Sequence, residues 1–246
     1  MNKVPPTTSG ADISFLQSSD IGKCVEAGNG DVDDLARIYL SLLLQHRSRD
    51  AFDAVKARLD AGLSIRDVYL KVFQPAQREV GRLWELGQLS IAQEHYVTAA
   101  TQVVMSKLYP YVMVRARIGK TFVAACVGDQ LHEMGMRMVA DFVEMEGWDT
   151  IYLGSNLPLN EIPQAVIENR ADALGLSATL PNHVDDIRDL VSRLRADGKT
   201  RDVHVIVGGY AFGEGHADWS TTGADSFARD ANEAVLCIRK LGQSGA

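Results

Sequence analysis

The sequence predicts an α/β protein in which an N-terminal four-helix bundle precedes a doubly wound, Rossmann-like parallel sheet. Two periodicities support this prediction. Between residues 31 and 118, apolar residues recur at the three- and four-residue spacing of amphipathic helices. From residue 119 to 246, short apolar runs alternate with helical patterns, which is typical of parallel sheets. Residues 1–30 are rich in Pro, Thr, Ser and Gly and are predicted to form a flexible segment.

Four apolar stripes define the predicted bundle. They begin near Leu35, Phe52, Ile65 and Tyr96. The third stripe continues to Trp84 as one helix, and the fourth covers residues 96–114. Pro75 lies inside the third stripe and predicts a kink, because proline removes a backbone donor from the helix.

The predicted sheet begins with a continuous apolar run after Lys120, as expected of a strand buried on both faces. The predicted strands cover residues 122–127, 150–153, 173–176 and 203–207, with helices at 133–146, 159–169 and 183–197 between them. In such sheets ligands bind beyond the carboxyl ends of the strands, so the loops there should form the site. Residues 210–227 show no clear hydrophobic period, so no helix or strand is predicted there.

Composition excludes several functional classes. A formal net charge of −7 argues against direct binding to nucleic acid, which normally requires a basic surface. The sequence has no apolar run long enough to span a membrane, and its three cysteines lack the CxxC spacing of a zinc site. We therefore expect a cytoplasmic protein.

Unusual residues follow three of the predicted strands. His132 and Gly135 follow the first strand, Ser177 and Thr179 the third, and the Gly208-Gly209 pair the fourth. A histidine beside a loop is by itself more typical of a surface or capping residue. Together, however, small and hydroxyl-bearing positions at neighbouring strand ends predict a deep slot.

These residues resemble the pattern of the cobalamin-binding domain family: an x-His-x-x-Gly loop, a Ser-x-Leu or Ser-x-Thr loop and a Gly-Gly turn. In that family the histidine replaces the cofactor's own base as the lower ligand of cobalt. The displaced nucleotide tail fills the slot. The resemblance therefore implies that His132 binds cobalt, and that the tail is lined by Gly135, Ser177, Thr179, Gly208 and Gly209.

The sequence departs from the family pattern at Gln130, where an aspartate usually accepts the second imidazole proton. Glutamine can form a hydrogen bond with the ring, but it cannot stabilise an imidazolium by charge. This substitution favours sensing over methyl transfer.

A second resemblance lies in the predicted bundle. Trp84, a nine-residue gap and the Glu94-His95 pair are similar to the signature of light-responsive cobalamin regulators related to CarH. The resemblance implies that Trp84 packs against the upper ligand, that Glu94 contacts an adenosyl group, and that His95 binds cobalt from above after light. Core packing of Trp84 and a solvated helix start at Glu94-His95 are the alternatives.

We therefore expect a cobalamin-dependent light sensor rather than an enzyme. Its cofactor would be adenosylcobalamin, with hydroxocobalamin as the alternative. Residues 1–30 are too short and too weakly basic for a winged helix, so the sensor is expected to lack its own DNA-binding domain, as in the similar AerR antirepressors. Light would then change its homo-oligomeric state, or its contact with a signalling or transcription-regulator protein.

Three other functions stay open from the sequence. One is a corrinoid methyl carrier of a methyltransferase system. Another is a photocobilin, which adds a biliverdin-type bilin to cobalamin. The third is a cobalamin store. His183, His204 and His216 are interpreted as structural or exposed residues rather than ligands.

Overall fold

A computed structural model describes residues 32–112, 115–128, 132–213 and 217–243. The chain divides into two compact units, Met1–Val112 and Met113–Ala246, here called the helical unit and the sheet unit. The flexible segment predicted for residues 1–30 lies outside the described residues. No helix in the described part of the chain has both the length and the apolar character needed to cross a membrane.

The helical unit is the bundle that the apolar stripes predict. Its helices are α1 (Val32–Leu44), α2 (Ser48–Asp60), α3 (Ile65–Val68), α4 (Gln74–Glu85) and α5 (Ile91–Leu108). Tyr39 and Phe73 are completely buried at its centre, with their ring centroids 5.2 Å apart. The sequence prediction of a helical N-terminal domain is confirmed.

The third predicted helix contains an irregularity just before Pro75. A π-helical segment, Tyr69–Phe73, connects α3 to α4. Pro75 lacks a backbone N–H, and its ring would collide with the carbonyl of Lys71 in a regular α-helix. A π-helical turn widens the backbone at this point, so the chain continues as helix through the proline.

The fourth helix begins earlier and ends earlier than the apolar stripe predicts. It starts at Ile91 because Ser90 and Gln93 form a capping box, in which each side chain binds the other residue's backbone N–H. It ends at Leu108, and Tyr109–Tyr111 forms a 3₁₀ turn that contains Pro110. The earlier start places Glu94 and His95 in the first turns of α5.

The sheet unit contains a five-stranded parallel sheet. Its strands are β1 (Thr121–Cys126), β2 (Asp149–Gly154), β3 (Ala173–Ser177), β4 (His204–Gly208) and β5 (Ser226–Ala228). Its helices are α6 (Met134–Met145), α7 (Glu161–Glu168), α8 (His183–Ala196) and α9 (Ala231–Gln243). The strand order is β2-β1-β3-β4-β5. The predicted doubly wound fold is therefore confirmed, with one short strand that the sequence pattern did not reveal.

The two faces of the sheet pack against different helices. Along β1, Val123 and Ala125 join the core formed with α7 and α8, whereas Phe122 and Ala124 join the core formed with α6 and α9. This alternation follows from the pleat, which turns successive side chains to opposite faces. Both faces are apolar, and this explains the continuous apolar runs in the sequence.

The strand order places a topological switch point at the carboxyl end of β1. After β1 the chain continues to β2 on one side and then crosses to β3 on the other. The loops that follow β1 and β3 therefore diverge at a topological switch point, where open α/β sheets bind ligands. His132 follows β1, and Ser177 is the last residue of β3.

Candidate cofactor site

The backbone around His132 is held by the neighbouring strands. The Cys126 thiol donates a hydrogen bond to the His132 carbonyl oxygen, with 3.8 Å between sulfur and oxygen. The Tyr152 hydroxyl donates to the Glu133 carbonyl oxygen at 3.3 Å, and the Ser155 hydroxyl donates to the Glu133 carboxylate at 3.0 Å. The His132 residue itself is exposed. The backbone of His132 and Glu133 is thus held by the strands, while the His132 side chain is exposed.

Two of these donors keep their protons at neutral pH. Burial, together with the charge of Glu133, raises the pKa of the Cys126 thiol to about 12. Burial also raises the pKa of the Tyr152 hydroxyl, with further contributions from Cys126 and Glu133. Both groups therefore act as hydrogen-bond donors to the loop rather than as anions beside it.

The start of the same loop packs against His183. Gly128 has a φ of +88°, and a Cβ there would lie 2.3 Å from His183 Nε2. His183 is only 1% exposed and begins α8. The imidazole of His183 is thus buried against the start of this loop. Gly128 leaves room for the imidazole.

The loops after β3 and β4 meet backbone to backbone at the Gly-Gly pair. Gly209 has a φ of +99°, and a Cβ there would lie 2.2 Å from the Ala178 carbonyl oxygen and 2.8 Å from Ser177 Oγ. A Cβ on Gly208 would lie 2.6 Å from the Ala228 carbonyl oxygen. The amide of Ala178 donates to the Gly208 carbonyl at 3.0 Å. No larger residue fits either glycine position without displacing backbone.

The register of the sheet brings the three predicted loops to one edge. Cys126 at the end of β1 pairs with Ser177 at the end of β3, and Ser177 pairs with Gly208 at the end of β4. Thr179 is half-buried just beyond Ser177. Gly135 lies in the first turn of α6, is exposed, and has open space where a Cβ would stand. Gln130 lies outside the described residues.

These residues fit a cobalt corrinoid. A corrin brings four nitrogen ligands to its metal, so that the protein needs to supply only an axial ligand, for which imidazole is suitable. Among the residues that the structure describes, no group of three or more His, Cys, Asp and Glu could hold a metal ion by itself. The exposed imidazole of His132 meets this simpler requirement, and Gly135 leaves open space one turn further along the chain.

A second group of predicted site residues lies at one end of the helical unit. α4 ends one residue after Trp84, and a short turn leads to α5, where Glu94 and His95 are in the first turns. Gly87, with a φ of +69°, closes this turn by donating its N–H to the Trp84 carbonyl at 2.9 Å. Trp84 is 45% exposed, so the alternative of core packing is wrong.

Glu94 and His95 interact directly. His95 Nδ1 lies 2.5 Å from Glu94 Oε2, and Thr98 Oγ1 lies 3.2 Å from the other carboxylate oxygen. Thr98 also donates to Gln77 Oε1 at 3.0 Å. Neither Gln77 nor Thr98 is among the site residues predicted from the sequence. Only the four-residue spacing between Glu94 and Thr98, which puts both on one helix face, could have indicated a contact.

A helical unit joined to a doubly wound sheet, with an anchored and exposed histidine at the switch point, defines a corrinoid-binding class of protein. Comparison with known families agrees. Two family models, both described as B12 binding domain, match residues 35–109 and 120–236. The chain belongs to the family of cobalamin-binding proteins.

Individual relatives fall into two groups. The chain is 33% identical over 168 residues to the HTH-type transcriptional repressor CarH of Myxococcus xanthus, covering 68% of this chain but 54% of that protein. It therefore spans about half the length of CarH. It is 26% identical to dimethylamine corrinoid protein 1 of Methanosarcina acetivorans, covering 78% of this chain and 91% of that protein.

A solved structure supports the fold. The monomethylamine corrinoid protein of Methanosarcina barkeri superposes with a TM-score of 0.71 at 18% identity. The superposition covers 85% of this chain and 98% of that protein.

Proposed function

We propose that this cobalamin-binding protein senses light, and that loss of the upper cobalt ligand changes the surface it offers to a signalling or transcription-regulator protein. The observation that carries the proposal is the arrangement of Trp84, Glu94 and His95. An exposed indole and an exposed imidazole lie at the same end of the helical unit, and a carboxylate holds the imidazole ring. If Glu94 and His95 were only solvated residues at the start of a helix, no contact between the carboxylate and the imidazole would be required.

In this proposal the sheet unit binds and orients the cofactor. His132 would supply the lower ligand, and the backbone of His132 and Glu133 is held by Cys126 and Tyr152. Ser177, Thr179 and the Gly208-Gly209 pair would bind the nucleotide tail, together with Gly135. Bound adenosylcobalamin would supply a bond between cobalt and carbon that visible light breaks.

Two residues of the helical unit would act on the upper ligand of the bound cofactor. The indole of Trp84 would exclude water from the bond between cobalt and carbon. His95 would offer a second imidazole when the upper group is lost, and imidazole nitrogen is a good ligand for late first-row metals. Exchange of a bulky group for a protein side chain would then change the helical unit, and through it the contact with a partner or a second copy.

A corrinoid methyl carrier is the second candidate. It is favoured by the near-complete coverage of dimethylamine corrinoid protein 1, at 91% of that protein. The substitution of Gln130 for the usual aspartate counts against it, because glutamine provides no charge to stabilise an imidazolium when the lower ligand is released.

One experiment separates the two candidates. The protein is loaded with adenosylcobalamin in the dark and illuminated with green light, and its visible spectrum and hydrodynamic size are recorded. Light sensing predicts a stable bis-imidazole spectrum and a changed size, and the spectrum should be lost in His95→Ala. Methyl transfer predicts that size and ligation are indifferent to light, and that the methylated cofactor reacts with a methyltransferase.

A further inference from the structure

A chain of polar side chains connects the buried centre of the helical unit to His95. Near the centre, the Tyr39 hydroxyl and the Gln77 amide nitrogen both donate to Thr101 Oγ1, at 3.0 Å and 2.9 Å. The Thr101 hydroxyl in turn donates to the Val97 carbonyl oxygen at 2.8 Å. The oxygen of Thr101 thus gives one hydrogen bond and accepts two, which is its full capacity.

This saturation determines the orientation of Gln77. Because Thr101 has no further proton to give, Gln77 turns its NH₂ group toward Thr101 and its carbonyl oxygen toward Thr98. Thr98 Oγ1 then lies 3.0 Å from Gln77 Oε1 and 3.2 Å from Glu94 Oε1. Both neighbours are acceptors, so the single Thr98 proton is shared between them and links the two side chains.

Glu94 needs this link to reach His95. Adjacent residues on a helix do not face each other, so a contact between Glu94 and His95 requires the carboxylate to be turned along the helix and held there. Thr98, one turn further on, holds Oε1, and this leaves Oε2 at 2.5 Å from His95 Nδ1. A carboxylate only accepts hydrogen bonds, so the ring proton is on Nδ1 and the lone pair is on Nε2.

We propose that Thr98, oriented by Gln77, is a positioning residue that holds Glu94 and thereby keeps His95 in the tautomer with Nε2 available to cobalt. The proposal rests on the proposed function, in which His95 becomes the upper ligand. It also assigns Glu94 a task beyond contact with an adenosyl group. Histidine ligands of metals commonly donate their second ring N–H to a carboxylate, which fixes the ring and raises its basicity.

The tautomer can be measured without cofactor. Long-range ¹H–¹⁵N NMR spectra of the full apo chain, recorded at about pH 8, where an ordinary imidazole is neutral, distinguish the two ring nitrogens. Wild-type His95 should carry its proton on Nδ1. Thr98→Val removes the hydroxyl and should raise the minor Nε2–H population about fivefold, the net effect of one lost hydrogen bond. Thr98→Ser should restore the wild-type spectrum.

Ser106→Ala is the matched control, since Ser106 lies on the same helix and its hydroxyl donates only locally, to the Gln102 carbonyl. It should leave the His95 tautomer unchanged. A wild-type ring protonated on Nε2, or a Thr98→Val spectrum identical to that of Ser106→Ala, would overturn the proposal. If Thr98→Val loses helical circular dichroism, Thr98→Ala replaces it, because alanine is the best helix former.

The illuminated holo protein provides an independent measurement. Cyanide should displace His95 from cobalt at about tenfold lower concentration in Glu94→Gln, as expected when the carboxylate partner of a ligand histidine is lost. Thr98→Val should shift the same titration in the same direction. If light produces no bis-imidazole spectrum but the apo tautomer responds as expected, the proposed function fails while the positioning role of Thr98 stands. Unchanged titrations in both variants would contradict that role.

Discussion

The Cys126 thiol donates its hydrogen bond to the carbonyl oxygen of His132, and so ties the last residue of β1 to the residue that we assign to cobalt. The bond acts on the backbone and leaves the imidazole exposed. Tyr152 repeats this arrangement one residue later, at the Glu133 carbonyl. The two side chains thus tie the backbone of His132 and Glu133 to strands of the sheet.

Replacing the two histidines separately should give opposite results. His132→Ala removes the lower ligand and should weaken cobalamin binding at least about tenfold, a typical cost of disturbing a metal ligand. His95→Ala should bind the cofactor normally in the dark but form no stable light product. Equilibrium dialysis gives the affinities and visible spectra give the product. Equal behaviour of the two variants would contradict the assignment of upper and lower ligands.

Gly135→Ala should raise the stability of the apo protein and lower its affinity for cobalamin. Gly135 is helical and a Cβ there meets no atom within 4 Å, so alanine should stabilise the apo protein by up to about 1 kcal/mol. If the nucleotide tail fills this space, the same methyl group should lower cobalamin affinity. Thermal unfolding of the apo protein and cofactor titration give the two quantities.

Gly81→Ala provides the control for this pair of measurements. Gly81 lies within α4 and is equally open, but it is not among the predicted cofactor residues. Alanine there should also raise the apo melting temperature, and cobalamin affinity should stay as in the wild type. A Gly135→Ala variant that binds cobalamin as tightly as Gly81→Ala would remove Gly135 from the tail-binding residues.

Gly209→Ala should destabilise the sheet unit strongly. The new Cβ would lie 2.2 Å from the Ala178 carbonyl oxygen, and the φ of +99° is unfavourable for alanine. Backbone strain of this kind costs about 1–3 kcal/mol, and displacement of the neighbouring loop adds to that cost. Gly223→Ala is the control, because it also has a positive φ but its nearest contact is 3.4 Å, to a Val191 methyl group. Urea unfolding should show the larger loss for Gly209→Ala, and equal losses would argue against the backbone contact.

His204 should make stability depend on pH. Burial lowers its pKa below the ordinary value near 6.5, and the nearby Asp225 opposes this shift only partly. The unfolded chain therefore binds a proton more readily, so the contribution of neutral His204 is fully present above about pH 6.5 and is lost as pH falls toward the folded-state pKa. His204→Asn should flatten the decline in the denaturant midpoint as pH falls below about 6.5. If the denaturant midpoint of the variant declines as steeply as that of the wild type, groups other than His204 cause the decline.

Much of the fold follows from local patterns in the sequence. Continuous apolar runs indicate β1, β3 and β4 because both faces of the sheet are covered by helices. β5 could not be predicted in this way, because its three residues are too few to show a hydrophobic period. The π-helical turn before Pro75 also depends on how the backbone relaxes around one ring, which the apolar stripe does not reveal.

The candidate site is predictable where small residues are required and unpredictable where partners come from distant segments. Gly208 and Gly209 have no room for a side chain, so a Gly-Gly pair after a strand is informative. The exposure of Trp84 could not be inferred from its place on an apolar stripe. The contact between Gln77 and Thr98 joins two residues that are 21 positions apart in the sequence and lie on different helices, and no local pattern signals it.

The identity of the lower cobalt ligand is the central claim, and electron paramagnetic resonance tests it directly. The His95→Ala protein, grown with ¹⁵N-labelled histidine, is loaded with unlabelled cobalamin and reduced to the cobalt(II) state. Ligation by His132 predicts that each cobalt line is split into a doublet by a ¹⁵N nucleus from the protein. A triplet from the ¹⁴N of the cofactor's own base would contradict the assignment of His132.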